Sequence, residues 1–308
     1  MIVLQLKAGL GNQMFQYAFA KALALRSGQK LALDLSWFEN VSERDTSRTF
    51  GLNHFNIDAE ILPANSPLAR HSTGMAFIFR KIAAKIKRMF VNTDYAYSAF
   101  EARPRESATV SGYWNSEKYF ADFAADIRRD LQLKNDLSPE ARSAKEEVLR
   151  AISDKKTLIL IHVRRGDYVT NAHAHAAHGL SSLEYYKLAI ERIMGKIIKD
   201  AGGFDKENSL FVLASDDMDW TVENIVPHLP TSHIALSGKG LKDFEELHIM
   251  SLCHHFIIAN STFSWWAAWL SDTAAREGKK KIVIAPNAWV ADPKTDTRDV
   301  IPEAWTRI

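Results

Sequence analysis

The chain has 308 residues, 46% hydrophobic and 25% charged, with a net charge of +2. That balance buries cores of ordinary size, suits two domains, and excludes a globally basic nucleic-acid binder, so any anion site must be local. Cys253 is the only cysteine, which excludes an intramolecular disulfide or a multi-cysteine metal site and fits a reducing, cytoplasmic setting. The opening MIVLQLKAGLGNQ has neither the charged leader nor the apolar core of a signal peptide, and no run of ~18 apolar residues occurs, so neither secretion by that route nor membrane spanning is expected.

Residues Ile2 to Leu6 read as a buried strand, followed by a glycine-bearing turn at Ala8–Gln13, a helix from about Gln13 to Ser27 with Gly28 as its stop, and a strand from Lys30 to Leu35. This is a β-α-β opening. Its turn carries G-x-G without a third glycine and fails as a dinucleotide fingerprint. The amides of Asn12 and Gln13 suit a hydroxyl-rich ligand; a tight turn with Asn12 as helix cap is the other reading. Asp45 to Pro67 is a polar excursion without periodicity. Over Met75–Phe90 apolar residues recur at helical spacing beside Arg80, Lys81, Lys85, Lys87 and Arg88, predicting a basic amphipathic helix. It either rests on an anionic membrane surface or docks on its own domain with a solvated basic face.

A strand is expected at Thr109–Trp114, then a helix to about Leu133. Tyr113, Trp114 and Tyr119 suit a sugar platform or an aromatic core equally. Lys134–Pro139 has turn chemistry, with Ser138 capping a helix that begins at Pro139. The domain boundary is expected between this turn and Lys156, giving domains 1–150 and 151–308.

From Thr157 onward strands alternate with helices, which specifies a parallel sheet covered on both faces. Strands are expected at Thr157–Val163, Ser209–Ala214, His233–Ala235, Phe256–Ala259 and Lys281–Ala285. Ligands bind past the carboxyl ends of such strands, so polar clusters there are candidates. The first is His162-Val163-Arg164-Arg165-Gly166-Asp167, whose guanidinium groups suit phosphate oxygens; a surface salt-bridge cluster is the alternative. The second is Ala214-Ser215-Asp216-Asp217-Met218-Asp219-Trp220, where carboxylates suit a helix cap, a divalent metal, or the N–H donors of a guanine edge. The third, Asn260-Ser261-Thr262-Phe263-Ser264, places hydroxyls at a helix start, where unpaired N–H groups and the helix dipole attract anions. His173, His175 and His178 have metal-like spacing but no carboxylate among them, and an ordinary loop beside the site is the plainer reading.

GLGNQMFQYA (Gly9–Ala18), GYWNSEKYF (Gly112–Phe120), HVRRGDYV (His162–Val169) and NSTFSWWAAWL (Asn260–Leu270) together resemble the bacterial α-1,2-fucosyltransferases, glycosyltransferase family eleven. The resemblance spans nearly the whole chain in order. It implies an α/β GT-B fold, with two Rossmann-like domains whose parallel sheets face a cleft. It also implies GDP-β-L-fucose as donor, a β-galactoside acceptor, inversion at the anomeric carbon, and no required metal or other cofactor. By similarity to the wider fucosyltransferase group, Arg164 binds the β-phosphate with His162 beside the nucleotide. Asp216 and Asp217 recognise guanine, and Ser261, Thr262 and Ser264 hold the diphosphate. Asn12 approaches the fucose and acceptor. Gly11, Arg165, Asn260 and Phe263 complete the expected binding set, Arg165 through structural or acceptor contacts. Asp167 is expected as catalytic base, acceptor orienter or loop anchor. Two departures from the family pattern are Ala8, where GGLGNQ usually begins with glycine, and Asn115, where glutamine usually follows GYW. Competing readings are a metal-dependent GT-A transferase using Asp217 and Asp219, and a non-catalytic galactoside-binding module using Tyr113 and Trp114. Acting on lipid-linked surface glycans would give the Met75–Phe90 helix a reason to touch the inner face of the cell membrane.

Overall fold

The structure, a computed structural model, describes residues 1–39, 47–63, 66, 88–92, 95–99, 108–166, 169, 176–201 and 205–308. They divide into two compact units: Met1–Asn135 with Arg298–Val300, and Asp136–Thr297 with Ile301–Ile308. The division falls earlier than the expected 150/151. The helix Pro139–Ser153 belongs to the second unit, to which it is tied by Ser138 N donating to Glu245 Oε1 at 2.7 Å and by the Lys239–Glu147 ion pair at 2.7 Å. Its start is as expected, with Ser138 Oγ accepting from Ala141 N at 3.2 Å ahead of Pro139.

In the first unit, the described strands are β1 (Ile2–Gln5), β2 (Leu31–Asp34), β3 (Glu60–Ile61), β4 (Arg88–Asn92) and β5 (Ala108–Gly112). They lie in the order β3-β2-β1-β5-β4, every neighbouring pair parallel. The helix Leu10–Ser27 carries the crossover from β1 to β2 and is apolar around most of its circumference, so it is buried rather than amphipathic. Its C-terminal Gly28 takes φ +62°, the left-handed conformation that lets its N–H return to the last turn. Phe19 stacks on Trp114 with centroids 4.0 Å apart, and Tyr119 meets Phe19 edge-on at 5.4 Å. Below the helix, Tyr17 Oη donates to Asp130 at 2.7 Å and accepts from Asp58 N at 3.0 Å, while Lys21 Nζ reaches Asp58 at 2.6 Å. The expected helix over Met75–Phe90 is corrected at its end: Arg88, Met89 and Phe90 are strand backbone in register with Ala108, Thr109 and Val110. Residues 75–87 lie outside the described residues.

The second unit's described strands are β6 (Thr157–Val163), β7 (Ser209–Ser215), β8 (His233–Ala235), β9 (His255–Ile257), β10 (Val283–Ala285) and β11 (Thr306–Arg307). Their order is β11-β10-β9-β6-β7-β8, again parallel throughout. Ile159, Ile161, Phe211, Leu213 and Ile257 pack against Tyr186, Ile190, Ile193 and Ile197 of the helix Leu183–Ala201. No helix among the described residues is long and apolar enough to cross a membrane.

Strand order fixes where ligands are to be sought. In the first unit the chain builds from β1 through β2 to β3, and β5 lies on β1's other side. In the second it builds from β6 through β7 to β8, and β9 lies on β6's other side. Each reversal is a topological switch point, where the loops leaving two neighbouring strands part to opposite faces and open a crevice past the carboxyl edge.

Candidate functional site

At the second unit's switch point, β6 runs buried through Val163 and releases its polar residues beyond the sheet. Arg164 Nη1 pairs with Asp216 Oδ2 at 2.8 Å, and the backbone N–H of Arg165 donates to Asp216 Oδ1 at 2.8 Å. The Asp216 carboxylate therefore clamps the turn after β6 onto the turn after β7. A Cβ on Gly166 would stand 2.6 Å from Asp216 Oδ2, so any side chain there would push the carboxylate out of this clamp. Arg165 turns the other way: its Nε donates to Asp217 Oδ2 at 3.2 Å, and its guanidinium lies 4.1 Å from the Trp220 ring centroid. Asp217 also caps the helix Met218–Asn224 by accepting from Trp220 N at 3.2 Å.

These contacts revise the expected division of labour. Asp216 and Asp217 are not an isolated acidic edge awaiting guanine, since both hold arginines, and Asp217 is a helix cap as well. Arg165 is a packing residue of the turn, whereas Arg164 sits at the rim with about a quarter of its side chain exposed. Trp220 closes the second cluster with a role the sequence did not assign, and Glu246 was missed altogether. Trp220, three residues past Asp217, is the ring on which Arg165 lies. Glu246 lies behind the same edge: Ser237 Oγ bridges Glu246 and Ser215 N, and burial raises the Glu246 carboxyl above its ordinary pKa.

His162, the last polar side chain still inside the strand, is 5% exposed. Burial lowers its pKa to about 4, with Asp216 opposing and Arg164 adding to the shift. It is therefore neutral near pH 7, and its Nδ1 has no hydrogen-bond partner among the described residues. Its ring centroid is 6.0 Å from that of Phe263, which joins the end of β6 to the helix start beyond β9.

That helix, Thr262–Leu270, begins as expected at Ser261, whose Oγ accepts from Phe263 N at 3.3 Å. The other polar groups differ from expectation. Asn260 is buried and fully used: its Nδ2 donates to His178 O at 2.9 Å and to Trp289 O at 3.4 Å, while its Oδ1 accepts from Ser181 Oγ at 3.3 Å. It is a clamp between three segments rather than a ligand group. Ser264 is completely buried and bonds back to Ser261 O at 3.3 Å, so it offers nothing to a diphosphate. Thr262 and Phe263 are half-buried and remain at the rim, together with the N–H groups of the first helical turn. Asp167 lies outside the described residues, as do His173 and His175. Among the described residues no group of three His, Cys, Asp or Glu side chains is placed to hold a metal ion.

In the first unit the helix begins at Leu10, with Gly9 at the cap position, so Asn12 lies in the first helical turn instead of capping it. Gln13 is consumed internally, its Nε2 donating to Ala8 O at 2.8 Å and Thr49 O at 2.9 Å and its Oε1 accepting from Gly51 N at 2.9 Å. Gly11 is buried, and Asn12, half-buried, is the amide left at the surface of this turn. Trp114 and Tyr119 are core residues, 2% and 3% exposed, and are not a sugar platform.

The family model for glycosyl transferase family 11 matches residues 1–308. The O-antigen biosynthesis glycosyltransferase WbnK of Escherichia coli is 32% identical over 304 residues, covering 93% of this chain and 94% of that protein. An Escherichia coli alpha-1,2-colitosyltransferase is 28% identical over 312 residues, covering 100% and 98%. The galactoside 2-alpha-L-fucosyltransferase Sec1 of Mus musculus is 22% identical, covering 88% of this chain and 64% of that protein. Among solved structures, an Arabidopsis thaliana FUT1 variant in complex with GDP matches with a TM-score of 0.52 at 13% identity, over 96% of this chain and 72% of that one. That likeness concerns the fold alone, and with two parallel α/β units the fold is of the GT-B type. The chain belongs to glycosyl transferase family 11 and is a glycosyltransferase of its fucosyl- or colitosyl-transferring kind.

Proposed function

We propose that the chain transfers L-fucose from GDP-β-L-fucose to the 2-hydroxyl of a β-galactoside, with inversion, in the synthesis of a surface glycan. The observation that carries this reading is the Arg164–Asp216 pair at the second switch point, with a helix start on the other side of β6. A diphosphate leaving group develops negative charge as the glycosidic bond breaks, and preorganised donors stabilise that charge best. Arg164 supplies a planar fork already oriented by a carboxylate, and the first turn of Thr262–Leu270 supplies backbone N–H groups. When GDP arrives, Arg164 exchanges one Asp216 oxygen for a phosphate oxygen, and the oxygen released serves the guanine N–H donors beside Asp217. His162, neutral and weakly basic, is a poor general base and takes a hydrogen-bonding role beside the nucleotide. Deprotonation or orientation of the acceptor hydroxyl falls to Asp167, and Asn12 takes the role of a contact to fucose and acceptor. Surface-glycan synthesis is supported by the O-antigen transferase relative.

The test is to incubate the purified chain with GDP-fucose and a β-galactoside and read the linkage by NMR. The proposal expects an α-1,2-linked fucosyl product; absence of transfer across neutral β-galactosides would discard it. A second reading, colitose in place of fucose, is favoured by the colitosyltransferase relative. Comparing the nucleotide-activated form of each sugar in the same assay decides between them.

A further inference from the structure

Where β9 parts from β6, the backbone of β6 loses a strand partner just before it reaches Arg164. Pairing between the two strands ends at Ile161 and Ile257. Leu158 O accepts from His254 N at 3.0 Å, while Thr157 N donates to Asn208 O beside β7, so the even-numbered residues of β6 turn their backbone groups toward β9. Beyond Ile161 the groups that need partners on that side are those of His162 and Arg164. One side chain supplies both. The Tyr186 hydroxyl donates to His162 O at 3.2 Å, and its oxygen accepts from the Arg164 N–H. A phenol thus takes the place of the rung that β9 no longer provides.

The helix Leu183–Ala201 is set for this. Ser182 Oγ accepts from Tyr185 N at 3.1 Å at the helix start, which places Tyr185 and Tyr186 in the first turn, against the strand ends. Tyr186 is 1% exposed, and burial raises its phenol above the ordinary pKa, so the donor keeps its proton near neutral pH and well above it. The Tyr185 hydroxyl donates to Ile258 O at 2.6 Å, two residues before Asn260. Ser181 Oγ joins the two strand ends: it donates to Asn260 Oδ1 at 3.3 Å and is also a hydrogen-bond partner of Tyr186 Oη. The Arg164 turn and the helix start after Asn260 are therefore held from one capped helix end.

We infer that Tyr186 is a positioning residue for the nucleotide: its hydroxyl fixes the backbone on either side of Val163 and so sets the direction in which the Arg164 fork leaves β6. The inference rests on the proposed reading of Arg164 as a phosphate ligand. Asp216 holds the side chain of that arginine and Tyr186 holds its main chain, and a planar fork is fixed in space only when both are held. Almost wholly buried, Tyr186 acts through Arg164 rather than on a ligand.

The experiment titrates GDP calorimetrically into wild type, Tyr186→Phe, Arg164→Lys and the double variant, with melting temperatures measured alongside. Tyr186→Phe keeps the ring and removes only the hydroxyl, and it should weaken GDP binding roughly fivefold or more, the scale of one hydrogen bond. In the Arg164→Lys background the same substitution should cost less than about twofold, because the fork it positions is gone. An equal loss in both backgrounds overturns the inference, as does a GDP affinity in Tyr186→Phe within about twofold of wild type. A lowered melting temperature without loss of affinity is the same overturning result, since it makes the hydroxyl a packing feature alone. Wild type carries a test that stands even where the variant folds poorly. Its Arg164 amide should exchange with solvent deuterium at least about tenfold more slowly than in an unstructured peptide, and an unprotected amide overturns the inference. A wild type without GDP affinity sinks the donor reading and the positioning role that rests on it; GDP binding weakened by Arg164→Lys but not by Tyr186→Phe sinks the positioning role alone.

Discussion

The two switch-point edges are built on the same plan and furnished in opposite ways. In the second unit the charges close on one another, with Arg164 on Asp216, Arg165 on Asp217 and Asn260 spread over three segments. In the first unit the polar network lies under the helix, in Tyr17, Lys21, Asp58 and Asp130, and the edge itself opens as a pocket of small polar groups and one indole. An edge of mutually paired ions suits a ligand that brings its own charge and exchanges partners with them. One fold thus carries an edge closed by mutual ion pairs and an edge whose lining has no net charge.

The comparison breaks most visibly at Arg164. Arg164→Lys keeps the charge and loses the fork, and transfer should fall on the order of 10²-fold, the scale of losing one preorganised donor; turnover close to wild type would remove Arg164 from the anion site. Tyr17→Phe in the first unit strips Asp130 of a buried donor and should cost about 1–3 kcal/mol in denaturant unfolding, with GDP affinity intact. If GDP affinity falls with it, the separation of the two units' roles is wrong. Beneath the second edge, burial holds His255 down to about 4, and its Nδ1 accepts from Ile282 N at 3.1 Å, joining β9 to β10. Its pKa is lower folded than unfolded, so the neutral form stabilises the fold above about pH 6.5 and that contribution is lost as pH falls toward 4. Thermal melts should show a shallower acid loss in His255→Gln than in wild type; parallel pH profiles would count against the assignment. The smallest effect is expected at Ala8, which sits at φ +66° in the loop beside the pocket. Ala8→Gly should raise stability by up to about 1 kcal/mol by relieving a left-handed alanine, and a lower melting temperature would contradict it.

Much of this was readable beforehand because strand ends are readable. A buried run such as Thr157–Val163 that passes directly into His162, Arg164 and Arg165 announces both a central parallel strand and the edge it serves. What a side chain does at that edge was less legible, since it depends on neighbours far away in sequence. Asn260 looks like a ligand group until His178 and Trp289 come beside it, and Ser264 looks like a third hydroxyl until the helix turns it inward. Trp114 and Trp37 are equally aromatic on paper; the stacked Phe19 makes one core and the end of β2 makes the other a pocket wall. The strand β4 escaped because Arg88–Asn92 continues a helical apolar spacing, and only pairing with β5 chose the extended form. Gly166 carried a signal that was passed over: a glycine directly after paired arginines marks a close approach, here to Asp216.

The most direct test is a calorimetric titration of wild type and Arg164→Lys with GDP. Wild type should bind, and the variant should bind more than tenfold more weakly while unfolding at the same temperature. Absence of binding in wild type, or equal affinity in the two proteins, would contradict the assignment of the second unit's edge as the nucleotide site.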